Sequence, residues 1–398
     1  MAEIILAAGR EKSLLRRHPW VYSGALASVP PGLEPGAPVT LRSASGAFLA
    51  YGIYNPRSQI AVRALSFDER LPADGDLVRR RISRAALRRA SLRARGCSGL
   101  RLVASEGDCL PGLTVDQYNE FLVLAISSRA MEVYRDDIIG ALDALYPGAP
   151  LYERSDSRTR LKEGLEIRRG VVRGPEPPSA LYFRENGLVC LPADIPNGHK
   201  TGAYLDQRSG RLYACALAGG ARVLNCFSYT GGFGLWALKG GARSVDNVDV
   251  SEPALRAARD AVVFNHLDPG RCRFIRADVF DFLRRRVQEG ALYDLVILDP
   301  PKFADSAASL RRACRGYQDI NRLAFRLVAD GGHLLTFSCS GLVGPELFQK
   351  ITADAALEAG VQGTVAAALR QDSDHPVSLP CPETFYLKGL DIIVDRGD

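Results

Sequence analysis

Chemically reactive side chains close several apolar runs in the C-terminal half of this sequence. The run "LVILDPPKF" turns polar at Asp299, and "LLTFSCSG" stops at Cys339, a thiol held between two serines. A cysteine at the end of a buried strand is either small apolar filler or a nucleophile presented at the edge of a sheet. The residues that close the neighbouring runs help to choose between these interpretations.

A glycine-rich turn and two further carboxylates follow the other apolar runs. The turn is "NCFSYTGGFG", residues 225–234, and its glycines from Gly231 onward permit close approach of the backbone to a ligand. Asp249 closes the next run and suits a pair of ribose hydroxyls, and Asp278 closes the third and could hold an exocyclic amine. Because the pyrophosphate fingerprint of dinucleotide sites is missing, this order of features predicts S-adenosylmethionine rather than NAD.

Asp299 and Cys339 extend this cofactor site toward a nucleobase. Acid-Pro-Pro-aromatic tetrads such as "DPPKF" are used to hold the amino edge of a base, and the two prolines stiffen the chain. Carbon 5 of a pyrimidine is too weak a nucleophile to take a methyl group directly, so a thiolate must first add to carbon 6. We therefore interpret Cys339 as the nucleophile, Asp299 as the acid near ring nitrogen 3, and Lys302 as a basic group that helps to activate the thiol.

These residues need a parallel sheet to bring them together. From about residue 197 to 398, near-continuous apolar runs alternate with helical patterns such as "EPALRAARDAVVFNH". That alternation is typical of a Rossmann-like sheet covered on both faces, in which ligands bind beyond the carboxyl ends of the strands. We therefore predict a class I methyltransferase domain over residues 197–398.

Two other segments precede this domain, so the expected fold class is multidomain α/β. Residues 1–70 alternate short apolar runs with Gly/Pro turns and predict a small β-barrel, and residues 71–196 predict a small α+β domain. In "GREKSLLRRHPW", Arg16 and Arg17 lie near Trp20, a combination that suits an RNA surface. Trp20 could equally belong to the barrel core.

Composition limits the class of protein further. The net charge is +6, and residues 79–95 hold eight arginines and no acid, which indicates either a solvated helix face or a phosphate-binding surface. No apolar run is long enough to cross a bilayer, and the first residues make a poor signal peptide. Nine cysteines without zinc-finger spacing indicate reduced thiols, so we expect a cytoplasmic protein and assign no metal ligand.

Several longer motifs occur together and in order along this chain. They are "GREKSLLRRHPWVYSGA", "GHKTGAYLDQR", "VLNCFSYTGGFG", "DPPKF", "ACRGYQDIN" and "LLTFSCSGL". In this combination the sequence closely resembles the ribosomal RNA large subunit methyltransferase I family over nearly its whole length. The resemblance implies an N-terminal PUA domain, a central α+β domain and a Rossmann-like methyltransferase domain. It also implies an S-adenosylmethionine-dependent enzyme that makes 5-methylcytosine in 23S ribosomal RNA, at cytosine 1962.

The resemblance also implies a set of site residues. Cys339 would be the nucleophile, and the cofactor contacts would be Asp206, Gln207, Arg208, Asn225, Phe227, Tyr229, Gly231, Asp249, Asp278 and Asp299. Many RNA 5-methylcytosine enzymes carry a second cysteine after the proline of the fourth-strand motif. Lys302 stands in that neighbourhood here, so the base that removes the carbon-5 proton is not identified. The expected partner is 23S rRNA before or during subunit assembly, because the target base must be accessible, and a homodimer is left open.

Two other functions compete with this interpretation. "DPPKF" also looks like the tetrad that amino-methyltransferases use on adenine, and such enzymes need no nucleophile. The chain could instead be an RNA-binding protein of ribosome assembly that has lost catalysis. Intact acids at three strand ends argue against that third hypothesis.

Overall fold

The structure is a computed structural model that describes residues 1–303 and 307–397. The chain divides into two compact units. The first comprises residues 1–186, 193–205 and 373–384, and the second comprises residues 187–192, 206–372 and the chain from 385 onward. Within the described ranges, no helix combines the length and apolarity that a bilayer crossing requires. The boundaries near residues 70 and 196 stay predictions.

The N-terminal part of the first unit is a six-stranded sheet with strand order β2-β6-β5-β4-β1-β3. Its elements are β1 (Ala2–Leu6), α1 (Lys12–Leu15), β2 (Trp20–Tyr22), β3 (Leu26–Ser28), β4 (Pro38–Arg42), β5 (Phe48–Tyr54) and β6 (Ile60–Ser66). Apolar side chains on these strands, among them Ile4, Leu41 and Val62, are fully buried in a core of their own. The prediction of short strands around a small β core is confirmed.

A five-stranded sheet with order β11-β10-β9-β8-β7 forms the next part of the first unit. The elements are α2 (Gly75–Arg88), α3 (Ala90–Ala94), β7 (Gly99–Ala104), β8 (Leu113–Tyr118), β9 (Phe121–Ile126), α4 (Arg129–Glu132), α5 (Arg135–Leu145), β10 (Leu151–Ser155), α6 (Arg158–Lys162), β11 (Arg168–Arg173) and β12 (Leu181–Glu185). The strand β13 (Val189–Ala193) lies mostly in the second unit. Asp74 caps α2 by accepting the Leu77 N–H, and the apolar face of α2 packs into the core of this sheet.

The arginine-rich helix α2 and its extension α3 use several of their arginines structurally. Arg89 is only 1 % exposed, and its guanidinium donates to both carboxylate oxygens of Asp108 at 2.8 and 2.6 Å and to the Asp374 carbonyl at 2.8 Å. Arg81 donates to the Leu65 carbonyl at 2.5 Å. A buried guanidinium must be paired in this way to offset its desolvation. These contacts favour a structural role over phosphate binding for Arg89 and Arg81.

The second unit contains a seven-stranded sheet with order β16-β15-β14-β17-β18-β20-β19. Its elements are α7 (Arg208–Leu217), β14 (Arg222–Cys226), α8 (Gly232–Lys239), β15 (Ser244–Asp249), α9 (Glu252–Phe264), β16 (Cys272–Arg276), α10 (Val279–Gln288), β17 (Tyr293–Leu298), α11 (Leu310–Phe325), β18 (Val328–Ser338), α12 (Pro345–Ala359), β19 (Gln362–Arg370) and β20 (Lys388–Asp395). Strands β14 to β18 pair in parallel as predicted. The antiparallel pair β20 and β19 is an addition, and a homodimer through an exposed strand edge stays a prediction.

The segment Ser373–Thr384 belongs to the first unit, although the sequence pattern places it inside the C-terminal segment. There, Glu383 Oε2 lies 3.1 Å from His18 Nε2, and ligand atoms of His18, Cys381 and Glu383 lie within 4.8 Å of one another. The Trp20 N–H donates to His18 Nδ1 at 3.2 Å. Because an amide can only donate, the proton of a neutral His18 ring is on Nε2, where it bonds Glu383. This tautomer fits a hydrogen-bonded cluster better than a metal site.

Candidate active site

The strand register of the second unit brings its closing acids to one edge of the sheet. Cys226 at the end of β14 lies opposite Val248 of β15 on one side and opposite Leu298 of β17 on the other. Asp249 follows Val248 directly, and Asp299 follows Leu298 directly. The two carboxylates therefore lie at the carboxyl edge of the sheet, where ligands of such folds bind.

Cys339 extends the same edge on the other side of β17. Leu298 lies opposite Thr336 of β18, and β18 continues to Ser338, so that Cys339 is the first residue beyond the strand. Cys339 is half-buried, whereas Ser338 and Ser340 on either side are fully buried. The backbone thus presents this thiol at the edge that carries Asp299.

The turn after β14 is shaped around Asp249. Phe227, Tyr229 and Gly231 have positive φ values of 56°, 47° and 77°, a conformation that is uncommon for residues with a side chain and that clusters at functional sites. The Tyr229 N–H donates to Asp249 Oδ2 at 2.8 Å, and the Ser251 N–H donates to Oδ1 at 2.9 Å. Each carboxylate oxygen is oriented by one amide and keeps accepting capacity for a ligand.

Two buried polar side chains near this turn and in the "YLDQR" loop lack partners in the described part of the chain. Gln207 is 3 % exposed and Ser228 is 7 % exposed. Neither the Gln207 side-chain amide nor the Ser228 hydroxyl forms a hydrogen bond with the described residues. An unsatisfied buried polar group costs about 1–3 kcal/mol. A ligand with amino, carboxylate and hydroxyl groups would satisfy both, so these residues fit S-adenosylmethionine.

The neighbours of Gln207 are held by other contacts in the second unit. Asp206 Oδ2 accepts a hydrogen bond from the Tyr386 hydroxyl at 2.6 Å, and the Asp206 carbonyl accepts the Asp372 N–H at 2.9 Å. Arg208 is 1 % exposed and pairs with Asp372 at 3.2 Å. These contacts fix the loop that carries Gln207. Of the three predicted loop residues, Gln207 is the one whose side-chain oxygen and nitrogen both lack a hydrogen-bond partner among the described residues.

Asn225 is paired across the sheet with a residue that the sequence analysis missed. Its Nδ2 donates to Asn247 Oδ1 at 2.9 Å, and both side chains are buried. Gly234 in α8 packs directly on that amide, since a Cβ there would lie well inside van der Waals contact with Asn247 Oδ1. The third glycine of "TGGFG" is therefore required by packing against β15.

Asp278 has a structural role of its own. It is the N-cap of α10, and its Oδ1 accepts the Asp281 N–H at 3.2 Å. The side chain is exposed. Its second oxygen can still accept from a cofactor, so the predicted contact to an exocyclic amine stays a prediction.

Tyr317 of α11 joins the site, and strand-end reasoning did not include it. Its hydroxyl accepts a hydrogen bond from Ser338 Oγ at 3.0 Å, and its ring lies 4.7 Å from the ring of Phe303 in "DPPKF". Burial raises the pKa of Tyr317 to about 12, and negative charge on Cys339 and Asp299 adds to this rise. Tyr317 therefore interacts electrostatically with both predicted catalytic residues. In the sequence, its one signal is that it lies in the motif "ACRGYQDIN".

The remaining predicted residues differ in exposure. Lys302 is exposed, as are Arg16 and Arg17 in the first unit. Trp20 is half-buried, and its indole N–H donates to Glu106 Oε1 at 2.9 Å. The basic residues can reach a ligand in solution, whereas Trp20 is partly committed to the fold of its own unit.

Comparisons with known proteins agree with this geometry. An S-adenosylmethionine-dependent methyltransferase family matches residues 171–366, and a PUA-like domain family matches residues 4–67. The ribosomal RNA large subunit methyltransferase I of Aeromonas hydrophila is 50 % identical over 390 residues, which is 98 % of each chain. This chain belongs to the ribosomal RNA large subunit methyltransferase I family. A relative from Klebsiella pneumoniae is 47 % identical and covers 97 % of each chain.

Solved structures show the same fold. A methyltransferase from Streptococcus mutans matches 99 % of this chain and 100 % of its own with a TM-score of 0.85 at 23 % identity, and a methyltransferase complexed with SAH matches equally well. As a member of the ribosomal RNA large subunit methyltransferase I family, this chain is an S-adenosylmethionine-dependent methyltransferase with an N-terminal PUA-like domain. The predicted fold class and cofactor are confirmed. The hypothesis of an RNA-binding protein that has lost catalysis is no longer an alternative.

We expect the Gly234→Ala variant of this family member to be less stable than the wild type by about 1–2 kcal/mol. Overpacking against Asn247 costs about 1–3 kcal/mol, and alanine recovers up to about 1 kcal/mol of helix propensity. Urea unfolding measures the difference. Gly234→Ala combined with Asn247→Ser makes room for the methyl group and should recover most of the loss. A single variant as stable as the wild type would contradict the close packing.

Proposed function

We propose that this chain methylates carbon 5 of a cytosine in 23S ribosomal RNA, and that the target is cytosine 1962, as the family resemblance implies. One observation carries the proposal, namely that Cys339 lies at the same sheet edge as Asp249 and Asp299. An adenine amino-methyltransferase needs the acids but has no use for a presented thiol. The names of the relatives support ribosomal RNA as the substrate.

The mechanism assigns a role to each residue at this edge. When bound, S-adenosylmethionine supplies a methyl group on a sulfonium. Cys339 Sγ forms a bond to carbon 6 of the base, which makes carbon 5 nucleophilic, and the carboxyl of Asp299, in its protonated form, gives its proton to ring nitrogen 3, where negative charge develops. After carbon 5 has gained its methyl group, a base that the sequence does not identify takes the carbon-5 proton, the bond from Cys339 to carbon 6 breaks to regenerate the thiolate, and the proton on ring nitrogen 3 returns to Asp299. Asp249, Gln207 and the turn after β14 hold the cofactor.

Product analysis tests the proposal directly. We would incubate the full chain with S-adenosylmethionine and unmodified 23S rRNA, digest the RNA and identify the methylated nucleoside by mass spectrometry. The expected product is 5-methylcytosine. Methyladenine would instead show that "DPPKF" belongs to an amino-methyltransferase site.

A substrate analogue tests the covalent step. RNA that contains 5-fluorocytosine cannot lose a proton from carbon 5, so the bond from Cys339 to carbon 6 should persist after methyl transfer. A stable protein–RNA adduct should form, and its RNA-linked peptide should contain Cys339. Turnover of fluorinated RNA without an adduct would exclude covalent addition.

We also propose that Arg16 and Arg17 bind the RNA backbone, with Trp20 beside them. The two arginines are exposed and follow the short helix α1. The location would be the cytoplasm, where ribosomal RNA is found and where the cysteine thiols of this chain stay reduced. Naked or assembling 23S rRNA is the expected form of the substrate, because the base must be unstacked to reach the site.

Replacing Arg16 and Arg17 together with glutamine should weaken RNA binding. The slope of the logarithm of the association constant against the logarithm of the salt concentration should decrease in magnitude by about one for each phosphate contact that is lost. Fluorescence anisotropy at several salt concentrations measures both effects. Arg42→Gln is a control that removes one positive charge from the same unit, because Arg42 Nε already bonds Glu3 at 2.6 Å. An unchanged salt slope in the double variant would remove these arginines from the RNA surface.

A further inference from the structure

A buried lysine lies beside the proposed nucleophile. Lys388 is the first residue of β20 and pairs directly opposite Ser338, the last residue of β18. Lys388 is only 5 % exposed. Lysine is almost never buried to this degree unless its charge has a partner. Neither the cofactor site nor the proposed base contacts account for this burial.

Two backbone carbonyls hold the Lys388 ammonium close to the end of β18. Nζ donates to the Ser340 carbonyl at 2.6 Å and to the Tyr386 carbonyl at 2.7 Å. Ser340 follows Cys339 directly, so the first of these bonds clamps the turn that carries the thiol. An ammonium has three donors, and the two carbonyls use two of them.

The charge of Lys388 interacts with the thiol itself. Burial lowers the pKa of Lys388 to about 8, and negative charge on Cys339 acts in the opposite direction by favouring the protonated amine. Such an effect is reciprocal, because an ammonium that is favoured by a thiolate also favours that thiolate. With a pKa of about 8, Lys388 is mostly protonated at neutral pH.

Other titratable and charged groups of the described residues also surround this turn. Tyr317, on α11, is neutral at physiological pH because its pKa is raised to about 12, and an ionised Asp299 beyond β17 would repel a thiolate. Arg370 of β19 lies opposite Lys388 in the sheet, and its side chain is exposed. Lys302, which the sequence analysis assigned to thiol activation, is exposed and therefore screened by water and salt.

We propose that Lys388 is a positioning residue for Cys339, whose buried ammonium stabilises the thiolate and clamps the turn that presents it to the base. This inference rests on the proposed function, in which Cys339 is the nucleophile. It transfers the activating role from Lys302 to a residue of the antiparallel strand β20. The attacking thiolate then forms before the base is bound.

The test is the pH dependence of Cys339 alkylation in the full chain without RNA. Iodoacetamide labelling from pH 6 to pH 10, followed by peptide mass spectrometry, reports the thiolate fraction at each cysteine. In Lys388→Gln, which can still donate hydrogen bonds but carries no charge, the apparent pKa of Cys339 alkylation should rise. A rise of about one unit lowers the labelling rate at pH 7 about tenfold. Lys388→Arg keeps the charge and should retain most of the wild-type profile.

Two controls separate this effect from general damage. The exposed Cys109 lies in the first unit and is an internal standard whose profile should not move in any variant. Lys239→Met removes an exposed lysine from the end of α8 and should leave the Cys339 profile unchanged. Circular dichroism of each variant confirms that the chain is folded.

The outcomes distinguish the inference from the function on which it rests. A Cys339 profile that is identical in the wild type, Lys388→Gln and Lys388→Arg would overturn the role of Lys388, even if Cys339 proves essential for methylation. A shift in Lys388→Gln alone supports the ammonium–thiolate pair. If Cys339→Ala methylates RNA normally, the proposed function fails, whereas the alkylation profiles still report whether Lys388 and Cys339 are coupled.

Discussion

We expect Cys339→Ala to lose methyl transfer to 23S rRNA by about 10³-fold or more, because removal of a covalent nucleophile closes the reaction path that depends on it. S-adenosylmethionine affinity should stay within about twofold of the wild type, since the residues that we propose to hold the cofactor do not include Cys339. Methyl incorporation under single-turnover conditions measures the first effect, and calorimetric titration of the cofactor measures the second.

A second thiol on the same unit serves as the matched control for this experiment. Cys314 lies on α11 with intermediate exposure, like Cys339, but on a helix and not at a strand end. Cys314→Ala should retain nearly full activity. If Cys339→Ala methylates RNA at a rate close to that of this control, Cys339 is apolar filler and the covalent mechanism is wrong.

The second large effect is expected at Asp249. Asp249→Asn should weaken S-adenosylmethionine binding about 10- to 100-fold, because a hydrogen bond to a charged group contributes about 1.5–3 kcal/mol. In the wild type, the Asp249 carboxylate accepts hydrogen bonds from the Tyr229 and Ser251 N–H groups. The side-chain NH₂ group of the asparagine would face one of these two donors and could not accept its hydrogen bond. Calorimetric titration measures the affinity, and the identity of the methylated nucleoside should not change.

Asp268 provides a control with the same local chemistry. Its Oδ1 accepts the N–H of Gly270, two residues further on, as the Oδ1 of Asp249 accepts that of Ser251. Asp268 precedes β16, at the opposite end of the strand from the carboxyl edge. Asp268→Asn should therefore leave cofactor affinity unchanged. Equal losses in both variants would mean that the effect at Asp249 is local destabilisation and not lost contact with the cofactor.

The residues that close the parallel strands could be recognised without coordinates. Periodicity separates apolar strands from amphipathic helices, and parallel strands must end at one edge, so Asp249, Asp299 and Cys339 were expected to lie there. The register confirms this arrangement for the strands that carry them. The fold class and the cofactor also followed from motifs that lie close together in the sequence.

The role of Arg89, the residue between α2 and α3, could not be assigned from the sequence. Arg89 lies in a run that suits a phosphate-binding surface, yet it is buried against Asp108 and the Asp374 carbonyl, which is 285 residues away in the chain. Charge density is a local property of the sequence, whereas burial depends on which segments return to cover the helix. Only the tertiary structure shows that Ser373–Thr384 does so.

By itself, the sequence determined which strands end on reactive side chains, because helix and strand periods and the common edge of parallel strands are local rules. The tertiary structure decided what surrounds those side chains. Lys388 is 48 residues beyond Ser340, in a strand that runs antiparallel to β18, and no local pattern places its ammonium beside Cys339. Such contacts depend on long-range strand pairing, whose register is set by burial of the whole sheet.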